Sequence, residues 1–156
     1  MQAARFYSRP SRFRVRVYDP FIRLLLRRSR WTGFEKDALR VLAVRGRRTG
    51  RWYERPVGVC VHDGIRYLVS FYGESGWARN LRAGADAELR IGARAEPIAA
   101  TEVTGDAKAQ LLTWLVRRYP WIGRHWLKVT PARLTAQEVR RLVDDYPVFA
   151  VEPRTR

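Results

Sequence analysis

Three runs rich in β-branched and aliphatic residues, at positions 38–45, 52–61 and 65–71, follow one another with only two short turns between them. The second turn carries Asp63-Gly64, a pair suited to a tight hairpin because both residue types tolerate a left-handed backbone. The first is Gly46-Arg47-Arg48-Thr49-Gly50-Arg51, in which two glycines permit positive φ. Turns this short leave no room for a crossover, so the three runs must pair as consecutive antiparallel strands. The first turn also sets two arginines and a row of amides between its glycines, an arrangement able to hold an anion. A solvated hairpin tip in a basic protein would carry the same letters, so the turn alone leaves both readings open.

The rest of the chain adds strands and short helices. Tyr72-Gly73-Glu74-Ser75-Gly76 interrupts the β pattern, and residues 77–83 fit two helical turns ending near Gly84, with Trp77 and Leu81 on one face. Positions 87–91 and 95–103 read as two further strands with Gly92 in the turn between them. Asp106 opens a helix over 107–118, whose apolar stripe Ala107, Leu111, Trp114 and Leu115 faces a core. Residues 119–126 form an aromatic connector. Thr135-Ala136-Gln137-Glu138 is a capping box for a helix to about Asp145, and 148–151 is a closing strand. This order predicts an α+β fold: a small antiparallel barrel of about six strands with helices packed outside.

The chain has 156 residues, enough for one domain with a real core. Its formal charge is +16, and half of that excess lies in residues 1–31, which hold nine arginines and one aspartate. Within that segment Asp19-Pro20 opens a short helix over 21–31. Phe21, Leu24, Leu25 and Arg28 share one face of it, and Arg23, Arg27 and Arg30 another. A helix this short cannot span a bilayer. It can cap the core or lie on an anionic membrane surface. The chain therefore divides into a basic segment, 1–31, and a barrel domain, 32–156. Nucleic acid is not the expected partner, because the basic residues lack regular aromatic interleaving and match no groove-reading motif. One cysteine, Cys60, excludes an internal disulfide, and with only His62 and His125 no metal-ligand spacing exists. A cytoplasmic location is expected, peripheral on the inner face of the membrane if the basic helix meets lipid.

Three segments together, Gly46-Arg47-Arg48-Thr49-Gly50, then Tyr72 through Ala83, then Pro147-Val148-Phe149-Ala150-Val151-Glu152-Pro153, resemble the deazaflavin-dependent nitroreductase family. The resemblance implies a split β-barrel that binds reduced coenzyme F420, with FMN the less expected cofactor. It implies hydride transfer to a small acceptor: a quinone, a nitroaromatic or an activated alkene. Carried onto this chain, it places Arg47 and Arg48, with the amides of Thr49 and Gly50, on the phosphate of the coenzyme tail. Trp77 would wall the cleft, the backbone of Tyr72 and Gly73 would approach the ring, and Asn80 would fix the helix or a tail group. Where members often carry Pro-Arg after the turn, this chain has Trp52-Tyr53. Arg51 and Arg55, two residues either side of Tyr53, supply charge on the same strand face. The Tyr-Pro of quinone-reducing members is kept as Tyr119-Pro120, while later tyrosine positions hold Ile122 and His125. Tyr119, and after it His125, are the proton-donor candidates. The alternative is a non-catalytic protein of the same fold that binds a deazaflavin, a flavin or an apolar ligand.

Liposome co-sedimentation checks the basic helix. Binding is expected to require anionic lipid and to fall when Phe21 and Leu25 are replaced by Ala or residues 1–31 are removed. Equal behaviour of full-length and truncated protein makes the helix a core element.

Overall fold

The structure, a computed structural model, describes residues 38–155. The expected helix over 21–31, its membrane role and the division at residue 31 lie outside the described residues.

Six antiparallel strands close into a barrel: β1 (Leu39–Arg45), β2 (Trp52–His62), β3 (Ile65–Val69), β4 (Ala87–Ile91), β5 (Arg94–Glu102) and β6 (Val148–Pro153). The two tight turns hold β1 against β2 and β2 against β3, with Arg45 opposite Trp52 and His62 opposite Ile65. β4 and β5 form a separate hairpin, and β4 pairs back onto β1. The last strand then enters between β3 and β5, Phe149 facing both Leu68 and Glu102, to give the order β1-β2-β3-β6-β5-β4. Closure leaves no sheet edge with unpaired amides. Side chains alternate across each strand. Leu42, Val44, Val57, Val59, Leu68, Leu89, Ile98, Phe149 and Val151 therefore gather in one apolar cluster.

Four helices complete the described residues: α1 (Gly76–Arg82), α2 (Gly105–Arg118), α3 (Pro120–His125) and α4 (Ala136–Asp145), with a 3-10 turn at Pro131–Arg133. Helix α1 adds Ala78 and Leu81 to the barrel cluster. Helices α2 to α4 build a second cluster against Cys60, Val69 and Val148, with Leu112, Leu115, Val116, Ile122, Leu127 and Leu142 nearly or fully buried. Burying each such side chain is worth roughly 1.5–3 kcal/mol, so the outer helical layer carries a share of stability comparable to the barrel. None of the helices of the described residues is long and apolar enough to cross a membrane.

The structure corrects the expected boundaries in two places. Helix α2 starts at Gly105 with Thr104 as N-cap, so Asp106 lies inside the first turn, where its charge meets the positive helix end. The aromatic connector at 119–126 is itself helical: α3 begins with Pro120 at its first position and buries Ile122 and Gly123. Proline there is preorganised for a helix, and Gly123 lets the turn approach α2 closely. A Cβ at Gly123 would stand 3.1 Å from Val116 Cγ1 and 3.3 Å from Pro131 Cγ. The capping box of α4 is complete: the Thr135 amide donates to Glu138 Oε2 at 2.8 Å, and the Glu138 amide donates to Thr135 Oγ1 at 3.2 Å.

Cys60 lies between the barrel and the helical layer, and burial pushes its thiol up to about 12. The folded state keeps this proton while the unfolded thiol loses it near pH 8.5, so Cys60 makes stability fall as pH rises above about 8.5. Alkylation of the native protein by iodoacetamide at pH 8 is expected to run roughly a hundredfold slower than in denaturant. Equal rates would show that the interface opens freely.

Candidate cofactor site

The turn between β1 and β2 is braced from within. The Gly46 amide donates to the Arg51 carbonyl at 2.7 Å, and the Gly50 amide donates to the Gly46 carbonyl at 2.8 Å. Gly50 has φ +65°, a conformation its lack of a Cβ makes inexpensive. Thr49 Oγ1 lies 3.0 Å from the Tyr53 hydroxyl and accepts from the Arg51 amide at 3.3 Å. Arg45 Nε donates to the Gly50 carbonyl at 3.0 Å. Gly46 is required for space: a Cβ there would lie 2.6 Å from both Thr49 Oγ1 and Tyr53 Cε2. These bonds change the expected share of the donors. The Gly50 amide is spent inside the turn, so Gly50 contributes the shape of the loop rather than a donor to a ligand.

Residues 47–51 are exposed. Arg47 is the anchored one. Its backbone amide and its Nη1 both donate to Asn80 Oδ1, at 3.3 Å and 2.9 Å. Asn80 is only 7% exposed, on α1. A guanidinium has five N–H donors, so one bond to Asn80 orients the group and leaves the others for a partner. Arg48 and Arg51 extend the cationic face. Arg55 lies farther along β2, where its Nη1 donates to the Glu54 carbonyl at 2.8 Å.

Helix α1 is entered through a tight loop. Ser75 is its N-cap and accepts from the Ala78 amide at 3.3 Å. The buried Ser70 hydroxyl donates to the Gly73 carbonyl at 2.6 Å and lies 2.9 Å from Ser75 Oγ. Gly73 takes φ +69°, and a Cβ on it would stand 3.3 Å from the Asp145 carbonyl oxygen. Tyr72, 81% exposed, meets the Trp126 ring edge-on at 5.2 Å. Trp77 is half-buried against Phe149, 6.1 Å between ring centres.

The structure thus brings Arg47, Arg48, Thr49, Gly50, Arg51 and Asn80 together, and sets Trp77 on the same helix as Asn80. Tyr119 and His125 stand in the helical layer instead. Tyr119 is buried in the second cluster, edge-on to Trp114 at 6.1 Å with the Arg118 guanidinium 4.9 Å above its ring. His125 is exposed, its Nδ1 3.3 Å from the Trp121 carbonyl oxygen. Sequence reasoning missed Tyr53 and Arg45 as braces of the turn. The signal for Tyr53 was its place two residues beyond a turn whose first glycine has no room for a side chain.

A closed six-stranded antiparallel barrel, with helices outside it and an arginine turn fastened to α1, defines an α+β protein of the split-barrel class. The family model for F420H(2)-dependent quinone reductase matches residues 27–144, and the chain belongs to that family. Among solved structures it is similar to an F420-H2 dependent reductase, FDR-A, at 21% identity and TM-score 0.50, covering 74% of this chain and 95% of that one. It is similar to Atu2129 of Agrobacterium tumefaciens, a protein of unknown function, at 14% identity and TM-score 0.52, covering 76% of this chain. That match spans about half, 49%, of the Agrobacterium chain. The haem storage protein HutZ of Vibrio cholerae is similar at 13% identity and TM-score 0.50, covering 88% of this chain and 91% of that one. At these identities the structural likeness shows the fold alone. No curated protein matches the chain.

Gly46→Ala tests the brace. The forced shift of Thr49 and Tyr53 is expected to cost about 1–3 kcal/mol, a fall in Tm of roughly 2–10 °C. Thermal unfolding of Gly46→Ala beside Tyr53→Ala measures it. A Gly46→Ala protein as stable as the parent would show that the Tyr53 ring does not pack on the turn.

Proposed function

We propose that this chain binds reduced coenzyme F420, with Arg47, Arg48 and Arg51 on the tail phosphate, and serves as an oxidoreductase for a quinone-class acceptor. The observation that carries the reading is the pair of bonds from Arg47 to the buried Asn80, which orients an exposed guanidinium before any ligand arrives. The donor set fits the group: planar forks suit a phosphodiester oxyanion, and a preformed loop lowers the ordering cost of binding. The internal bonds of the turn, for which Gly46 leaves room beside Thr49 and Tyr53, brace the loop that displays them together.

When bound, the coenzyme supplies a hydride, and a proton completes a two-electron reduction. The residues of the chain bind, orient and exclude water. Trp77, with the backbone of Tyr72 and Gly73, would line the ring end, and Asn80 holds the phosphate end through Arg47. FMN is the weaker fit, since it ends at its phosphate and lacks the glutamate carboxylates that extend the coenzyme tail and would engage the further cations. Nitroaromatics and activated alkenes are further acceptors of the same electrophilic kind. Tyr119 Oη is the first candidate for the proton and His125 the second. The basic segment 1–31, read as separate from the barrel domain 32–156, would hold the site at an anionic membrane on its cytoplasmic side, where lipophilic quinones reside.

A second reading, a binder without turnover, is favoured by the place of Tyr119. Its ring is packed against Trp114 and under Arg118 in the helical layer, while Trp77 belongs to the barrel cluster. Turnover of menadione with reduced coenzyme F420 would exclude that reading.

Fluorescence titration with coenzyme F420 beside FMN tests the assignment. Micromolar binding of coenzyme F420 is expected. Arg47→Ala with Arg48→Ala should weaken it by tenfold or more, since charged hydrogen bonds are worth about 1.5–3 kcal/mol each and 1.4 kcal/mol is a decade. No change in coenzyme fluorescence, or equal binding by the double variant, removes the cofactor assignment.

A further inference from the structure

Arg82 closes the last turn of α1 with two paired carboxylates on one guanidinium. Its Nη1 and Nη2 donate to Glu74 Oε2 and Oε1 at 2.9 Å and 2.7 Å. Its Nε and Nη2 donate to Glu102 Oε2 and Oε1 at 2.6 Å and 2.7 Å. Glu74 lies in the loop that enters α1, and Glu102 ends β5, so a single planar group ties the loop, the helix and the barrel wall. A lone exposed ion pair adds little to a fold. Here both pairs are bidentate and share one rigid fork, the geometry in which arginine gains most over lysine. The cation also sits at the negative end of the helix. Arg82 holds both carboxylates below the usual carboxylate range, with help from Lys108 at both and from Arg79 at Glu74.

Asn80 lies two residues earlier, about 200° around a helix of 3.6 residues per turn, and so points the other way. It is buried and accepts both Arg47 bonds. Helix α1 is thus fixed to β5 on one side and gives the β1–β2 turn its acceptor on the other. The Arg82 pairing occupies Glu74, whose free carboxylate would oppose an anion bound beside the loop.

We propose that Arg82 is a positioning residue for the Arg47 turn: by tying α1 to Glu74 and Glu102 it fixes Asn80, and through Asn80 the guanidinium that meets the anionic tail. Its consequence for binding rests on the coenzyme reading above, whereas its consequence for the turn does not. Arg82→Gln and Glu102→Gln, each in the full chain, test it in two stages. Without any ligand, amide hydrogen exchange followed by NMR should quicken at Arg47 by about fivefold or more while the β3 and β6 amides stay unchanged. With ligand, the dissociation constant for coenzyme F420 should rise about tenfold, and that for a deazaflavin bearing a ribityl chain but no phosphate should stay within about twofold. In an Asn80→Ala background, Arg82→Gln should add less than about twofold, because the two residues act through one contact.

Unchanged exchange at Arg47 in both variants overturns the proposal. So does quickened exchange throughout the barrel with equal weakening of both ligands, which is the mark of a purely structural role. Quickened exchange confined to the Arg47 turn, in a protein whose parent form binds no coenzyme F420, upholds the positioning role and removes the coenzyme reading instead.

Discussion

The pairing of β6 on both of its edges holds this structure in one piece. Residues 148–151 pair with β3, and residues 149–153 with β5, so one segment near the end of the chain supplies the ladder that turns two hairpin sheets into a barrel. Phe149, fully buried, sits at that seam and meets Trp77 of α1 on the inside. Val148, next along the strand, faces outward into the helical layer. Alternation along a single strand thus joins the two apolar clusters, and neither could form around an open sheet without leaving a row of amides unpaired.

Charge is distributed according to what each guanidinium touches. On the wall formed by β1, β2 and β4, Glu54 and Glu88 face each other across Ala43, and Arg90 bonds to both. All three side chains there are largely buried, at 17% exposure or less. A buried cluster of this kind adds little net stability, because desolvation offsets most of its Coulombic gain. Arg66 with Glu96 and Arg154 with Asp86 fasten other parts of the wall. Several arginines of a chain with formal charge +16 are therefore structural. The excess alone says little about partners; the exposed, oriented guanidinium of Arg47 says more.

The candidate residues are divided between two structural units. The turn and α1 belong to the barrel, fastened by Asn80 and by the Arg82 pairs. Tyr119, His125 and Trp126 belong to the helical layer, which reaches the α1 entry loop through Tyr72 on Trp126 and Gly73 beside Asp145. A ligand lying along α1 would meet both units at that loop. The backbone passes close at Gly73, where a Cβ would crowd the Asp145 carbonyl oxygen of α4 and the positive φ independently favours glycine.

Local chemistry was legible in the sequence wherever a few neighbouring residues decide the backbone. Asp63-Gly64 makes a hairpin, Thr135 and Glu138 cap a helix, and alternating aliphatics make strands, each through contacts within four residues or so. The strand count and the α+β barrel followed from those signals, and the recognised motifs supplied the family. Helix α3 was not legible, because its stability comes from Ile122 and Gly123 packing on α2 rather than from propensity. Nor were the Gly50 amide's internal bond, the Tyr53 brace or the grip of Asn80 on Arg47, a contact between residues 33 apart in the chain. The last of these exists only after the barrel has closed and set α1 beside the turn. The sequence by itself singled out the turn as the candidate for an anion, and the tertiary structure decided which neighbour orients its arginine, because Asn80 reaches Arg47 only through the fold.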